Sequence, residues 1–500
     1  MENISTIIGI GCSTIAVSCL QRRRRRAEME NNVLSEAAIC SHVVLEGKLV
    51  VVSPICIGDG SGEERQDNSK DIRVQKNKQG HPFIPGTSMC GVLRCFVNET
   101  MASGMDTLLF GGSADGDNQS IVHVFDTVLE GAKPVFRDGV AIDYHTGVAK
   151  SGAKYDYEVI DAGEGIFRME AVIRQCQKES KEEIRKAIIR IKNKLADGIQ
   201  LGAMTAKGLG LVKLRDFNLG CYDLLDNESD VKAWFLASEI DGGSASDQMK
   251  DALDNDISAE AALFEGDFEL RSTMIIRTDN MDISEMNNKH IDKVFLKNSS
   301  GKYVVPGSSI KGVLRHQAQY ILGKIGRENE DAANKFLNKL MGYSDDTDNR
   351  QKSRFYVAES ILTDAVEEKI NTRNRIDRIT GGVMDNALFT TVPVYQKEEG
   401  RPAIKIKFCI KPVKTGNKGE TKSNPAEIGL ALLLFRDLWQ GRIAIGGETG
   451  VGRGTLKGIS GEFTIDGCKY SMNAKGEVIC ENGDVGRLDE YVRTLAREVG

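Results

Sequence analysis

Two aspartates hold matching places in this chain. Asp71 lies fourteen residues before Pro85, and Asp292 lies fourteen residues before Pro306. Each stands where a polar loop gives way to a strand, in Lys70-Asp71-Ile72-Arg73 and in Ile291-Asp292-Lys293-Val294. A carboxylate so placed can bind a divalent cation, Mg²⁺ or Mn²⁺, or orient a nucleophile beside a phosphodiester. One loop aspartate alone would read as a solvated side chain. Recurrence singles these two out, and Asp59, Asp67, Asp279 and Asp282 pair less well.

Each aspartate is followed by a Pro-Gly-(Thr/Ser)-Ser turn that opens a helix. The first copy supplies Gly86, Thr87, Ser88 and Arg94. The second supplies Gly307, Ser308, Ser309, Lys311 and Arg315, with Cys90 standing where the second copy has Lys311. Free N–H groups and partial positive charge at a helix N-terminus suit a phosphate. The plain alternative is an N-capped helix. Two glycine-rich loops recur as well, Lys207-Gly208-Leu209-Gly210 and Gly452-Arg453-Gly454. They allow a close backbone approach and carry one cation each. Their plain alternative is a tight helix-to-strand turn. Neither is a Walker A loop, and neither has the strand-before-helix context of a dinucleotide fingerprint. Tyr155 and Tyr157 read as sheet residues. His81 and His290 do not align between the copies and read as ordinary polar histidines.

These motifs belong to an internal duplication. FIPGTSMCGVLR at 83–94 and VVPGSSIKGVLR at 304–315 share seven of twelve positions. Ala141-Ile142-Asp143 with Thr146-Gly147 matches Arg375-Ile376-Asp377 with Thr380-Gly381, and 202–210 matches 446–454. The chain therefore divides into an extension (1–40), a first module (41–217), an acidic linker (218–261) and a second module (262–500). Each module opens on a strand, Val43 to Val52 or Phe264 to Arg277. A helix starts at the Pro-Gly turn, extended segments with insertions follow, then a second helix (Lys181 to Leu195, Pro425 to Gln440), the glycine-rich loop and a last strand (Leu211 to Phe217, Leu456 to Ile459). That order predicts an α+β fold of two tandem ferredoxin-like modules with inserted loops and hairpins.

Composition bounds the function. Of 500 residues, 40% are hydrophobic and 28% charged, the range of a soluble globular chain. A net charge of −6 argues against a wholly basic nucleic-acid binder. Residues 218–261 hold eleven acids and two bases, however, so the remainder is net positive. Eleven scattered cysteines without CxxC, and six histidines without a metal-ligand pattern, argue against a protein-built metal cage and for a reducing, cytoplasmic setting. Residues 4–20 are apolar but short and rich in Ser and Thr, and Arg22 to Arg26 follow them. That run is read as an extension, with a membrane anchor as the weaker alternative and Met29 as another start. No stable membrane association is expected.

IPGTSMCGVLR and VPGSSIKGVLR, with IDYHTGVAKSGAKYDYEVI, NRIDRITGGVMDNALF and the glycine-rich loops, resemble the RAMP superfamily. Within it the chain is similar to the two-module backbone subunits of type III CRISPR effectors, in particular the type III-D branch. The resemblance implies RRM-like modules that grip the phosphates of a CRISPR guide RNA and displace bases with a protruding hairpin. It implies other type III effector subunits and a target RNA as partners, with a role in antiviral defence. Asp71 and Asp292 would then cleave target RNA through attack by its own 2′-OH, although both lack the proline usual two residues after the family's aspartate. The readings left open are a non-catalytic guide scaffold, a guide-precursor nuclease and a membrane-tethered adaptor.

Overall fold

The computed structural model describes residues 36–60, 72–112, 119–235, 261–278, 291–326, 330–343, 350–414, 421–481 and 483–500. The apolar run at 4–20, Asp67, Asp71, Asp279, Asp282, His290 and residues 236–260 lie outside them.

Alternation at the start of the first module produces β1 (Ile39–Val51). Val43, Leu45, Leu49 and Val51, spaced by two, are buried in one cluster. Then come α1 (Gly86–Thr100), α2 (Met105–Phe110), β2 (Val122–Val124), β3 (Pro134–Ile142), β4 (Ala149–Ile160) and β5 (Glu164–Arg174). The module continues with α3 (Lys181–Asp197), β6 (Ile199–Gln200), β7 (Leu211–Asp223) and α4 (Glu228–Phe235). The sheet runs in the order β2-β5-β1-β7-β6, with every pairing antiparallel. Met89, Leu93 and Val97 on α1, and Ile184, Ile188, Ile191 and Leu195 on α3, form helical stripes that join the sheet's core. Strand β7 runs six residues past the boundary read at 217, because beyond a register shift at Glu46/Lys48 it keeps pairing with the first half of β1. Trp234 of α4 stacks on His42 of β1 at 4.0 Å, so the start of the acidic segment packs on the first module.

The second module repeats the plan. It contains β8 (Ala262–Leu270), β9 (Arg277–Thr278), β10 (Lys293–Phe295), α5 (Gly307–Ile325), α6 (Glu330–Met341), β11 (Phe355–Val357), β12 (Asn371–Ile376), β13 (Val383–Val392) and β14 (Ile404–Ile410). After these come α7 (Pro425–Trp439), β15 (Leu456–Ile465), β16 (Cys468–Met472), β17 (Val478–Cys480) and α8 (Gly486–Val499). Its main sheet is β11-β14-β8-β15-β16-β17. The first four strands match β2-β5-β1-β7 in order and direction. This core is aromatic: Phe264 stacks on Phe408 at 4.9 Å and on Phe463 at 5.5 Å, with Phe435 of α7 above them. At Gly458 a Cβ would stand 2.1 Å from the Trp439 ring, so this strand position must be glycine for α7 to settle. Each module has its own main hydrophobic core.

The duplication extends to the backbone of the glycine-rich loops. Leu201 N donates to Gly210 O and Gly210 N to Pro54 O, while Ile445 N donates to Gly454 O and Gly454 N to Thr273 O. Gly210 and Gly454 have φ of +88° and +82°, and a Cβ on either would lie within 2.1 Å of a carbonyl oxygen. Gly210→Ala and Gly454→Ala should each destabilise the chain by about 3 kcal/mol or more. Gly450→Ala, with nothing within 4 Å and no positive φ, should stay within about 0.5 kcal/mol of the parent in denaturant unfolding.

Candidate nucleic-acid interface

Asp292 sits exposed at the entry to β10. Its backbone N donates to Thr390 O at 2.9 Å, and its Oδ2 accepts from Thr390 N at 2.7 Å. The carboxylate is thereby held against β13, one strand of a long hairpin. Strand β10 runs parallel to β13 with Lys293 opposite Thr391. In the first module Ile72, the residue after Asp71, bridges Tyr157 in parallel, and Tyr157 is the counterpart of Thr391. Among the described residues no three His, Cys, Asp or Glu side chains gather as a metal-binding group. Asp292 alone does not fit a protein-built cation cage.

The hairpins themselves are near copies. In β3–β4 Arg137 faces Tyr157, and a bulge falls between Val140 and Ile142. In β12–β13 Asn371 faces Thr391, and the bulge falls between Asn374 and Ile376. At each tip an aspartate side chain closes the turn. Asp143 Oδ1 accepts from His145 N and Thr146 N, and Asp377 Oδ1 accepts from Ile379 N and Thr380 N. These donors, with the Thr146 and Thr380 amides foremost, hold both carboxyls below the usual carboxylate range. Gly152 at φ +69° and Asn386 at φ +55° occupy equivalent left-handed positions. Both hairpins project apolar side chains into solvent. Val140, Val148, Ile376 and Leu388 are among them, and Ile379 is 95% exposed. Such a concentration marks an interaction surface. The tyrosines read as sheet residues lie in β4, where Tyr157 is buried.

At several of the other sequence-predicted positions the polar groups are engaged within the protein. Arg94 donates to Gly111 O, and Arg315 donates to Gly342 O and Asn338 Oδ1. Gly111 ends α2 and Gly342 follows α6, so the duplicated arginine hydrogen-bonds the C-terminus of the next helix in both modules. Prolines 85 and 306 hold the N-cap positions, and no side chain there makes a cap bond. Gly86 N instead donates to the Asp126 carboxylate at 2.7 Å, which places an anion of the protein's own at that helix end, beside Thr87 and Ser88. Arg453 is buried against Glu448, with Gly452 beside it at the exposed end of the loop.

The first glycine-rich loop does pass close to another chain segment, but that segment is the second module. A Cβ on Gly307 would lie 2.2 Å from Lys207 O, and one on Gly208 would lie 2.5 Å from Glu359 N. Ser308 shares a hydrogen bond with Tyr157, and Ser309 N donates to Pro306 O. Lys311, buried, donates to Ala206 O, Ser353 Oγ and Phe355 O. Burial, aided by Lys207 and Arg315, pushes its ammonium down to about 7. Arg137 on β3 makes a two-pronged ion pair with Glu359, and both side chains are less than 10% exposed. Burial works against the guanidinium charge, but Glu359 outweighs it and raises the pKa. Tyr144 at the first hairpin tip meets His316 of α5 edge-on at 5.8 Å. Sequence reasoning passed over Arg137 and Glu359. The one signal was that Glu359 stands two residues after Val357 as Asp126 stands two after Val124.

Arg137→Met leaves the Glu359 carboxylate buried and unpaired, and should cost about 3–5 kcal/mol in thermal unfolding; adding Glu359→Leu should recover most of it. Lys311 titrates near 7 when folded against its usual 10.5. The unfolded chain thus binds more protons between these values, and stability gains an increment as pH rises from 7. Lys311→Met should flatten the rise measured between about pH 7 and 8, below the ordinary thiol pKa of about 8.5.

No curated protein matches the chain in sequence. One solved structure, described as the cryo-EM apo state of a type III-B Cmr-beta, aligns with 36% of this chain and 98% of its own at 11% identity and a TM-score of 0.29, too slight a likeness to build on. The model of the RAMP superfamily matches residues 48–213 and 243–457, one segment for each half of the duplication and well over half of the chain. The chain belongs to the RAMP superfamily.

Proposed function

We propose that this RAMP protein is a guide-RNA-binding backbone subunit of a type III CRISPR interference complex and that it cleaves guide-paired target RNA. The observation that carries this reading is the pair of hairpins. They share turn, bulge and register, both expose apolar side chains, and the described aspartate sits hydrogen-bonded to the flank of its hairpin. Apolar side chains on a projecting ribbon suit a wedge between bases, where unstacking costs a few kcal/mol per step. The strand order and the two core helices support a ferredoxin-like, RRM-like reading of each module.

A displaced base lets the preceding 2′-OH swing in line with its own phosphate. Asp292 would accept or orient the 2′-OH proton. The 2′-oxygen attacks phosphorus and the 5′-oxygen of the next nucleotide leaves, taking a proton from water, which gives a 2′,3′-cyclic phosphate and a 5′-OH. DNA, without a 2′-OH, is spared. Asp71 would do the same in the first module. The Mg²⁺ or Mn²⁺ expected from the sequence has no protein cage among the described residues, and any such ion would rest chiefly on substrate oxygens. Guide–target pairing supplies sequence specificity, so the protein need not read bases. Type III partner subunits complete the assembly, and a cytoplasmic location follows from that role. Among the described residues no helix is long and apolar enough to cross a membrane.

RNA recovered with the purified protein and sequenced should carry a repeat-derived tag at one end. Loss of Asp292 or Asp71 to Ala should slow cleavage at the corresponding position of a complementary target by about a hundredfold or more. Unchanged cutting by the double variant would leave a guide scaffold. Protein without nucleic acid and without affinity for such RNA would end the proposal.

A further inference from the structure

The junction inside this chain is a template for what its two ends can bind. In it, a loop of the first module (Met204–Gly208) lies on the N-terminus of α5, Arg137 enters an ion pair with Glu359, and the hairpin tip reaches His316. Several of these parts have counterparts that are open, while the counterpart of Arg137, Asn371, is half-buried and donates to Tyr395 Oη. In the second module the loop at Thr449–Gly452 is exposed, Gly450 and Gly452 have nothing within 4 Å, and the tip at Ile379 stands in solvent. In the first module the surface around α1 is exposed at Thr87, Arg94, Cys95 and Phe125, where the second module's equivalents are at least half covered or meet the hairpin tip. Asp126 is the counterpart of Glu359. A Cβ on Gly86 would meet Val124 O just as one on Gly307 meets Val357 O, and each acid follows that valine by two.

The ends do not complement each other as the internal halves do. The counterpart of Arg137 is Asn371: each lies six residues before the tip aspartate, and their cross-strand partners are Tyr157 and Thr391. The apolar wall behind the first loop (Cys56, Tyr157, Val159, Leu209, with Met204 against it) becomes a charged one. Arg453 replaces Leu209 and Glu448 replaces Met204, with Arg373 paired to Glu448. A second copy placed by the internal template would set an amide, not a guanidinium, against Asp126.

We infer that the exposed face of the first module, centred on Asp126 and the N-terminus of α1, docks a RAMP module of a different chain that carries an arginine at the position of Arg137, and that this chain does not stack on itself. The inference rests on the internal junction and holds whether or not the chain cuts RNA.

Light scattering on the full chain should return one 54.8 kDa species across a wide concentration range. A concentration-dependent ladder broken by Asp126→Arg would overturn the inference. RAMP proteins of the same host, purified singly, should divide by hairpin sequence, those with the arginine binding and those without it not binding. Asp126→Asn keeps an acceptor for Gly86 N while removing the charge, so folding is preserved. It should weaken binding by about thirtyfold or more, as should neutralising the partner's arginine. Binding that ignores both changes, binding by arginine-less modules at equal strength, or no binding by any of them would each refute it.

Discussion

A buried ion pair closes a backbone-to-backbone contact between the two modules, and it holds the first hairpin against the second module. Lys207 and Gly208 approach Gly307 and Glu359 too closely for any Cβ to intervene. That approach is flanked by the ion pair of Arg137 with Glu359. Two desolvated charges are costly unless they meet, so the pair penalises every misalignment more than it rewards the right one. It ties the first hairpin to the second module, where Tyr144 at the tip meets His316 of α5.

On that frame the same local chemistry is delivered twice. The Asx-type closure at Asp143 and Asp377, the bulge behind it and the left-handed residue opposite it set the twist of each ribbon without help from the rest of the module. The ribbons can then stay stiff while exposing valines, isoleucines and leucines that a monomeric surface would ordinarily hide. The sheets beneath need not be identical for this. One is built on aliphatic side chains and the other on stacked phenylalanines, yet both bring the segment that follows the aspartate to the hairpin's flank.

Much of this was legible in the sequence, and the reasons differ from element to element. The strands and the helices at Lys181 and Pro425 follow from periodicity, which is local. The duplication follows from aligned motifs, and equivalent φ values and hydrogen bonds bear it out. The roles of Arg94, Arg315 and Lys311 were not legible. A cation near a helix start looks the same in a string of letters whether it faces phosphate or a carbonyl oxygen at the end of the next helix. Asp71 lies outside the described residues, so only Asp292 of the pair has a position.

The residue types and spacings by themselves determined two modules, their order of elements, their tight glycine turns and their family, because each depends on neighbours in the chain or on self-similarity along it. Only the tertiary structure decided what the glycine-rich loop touches, which carboxylate meets Arg137, and which end faces are left uncovered. Those outcomes depend on groups 100 to 222 residues apart, and which of several oppositely charged candidates pair is settled by packing geometry and desolvation, not by anything written near either residue.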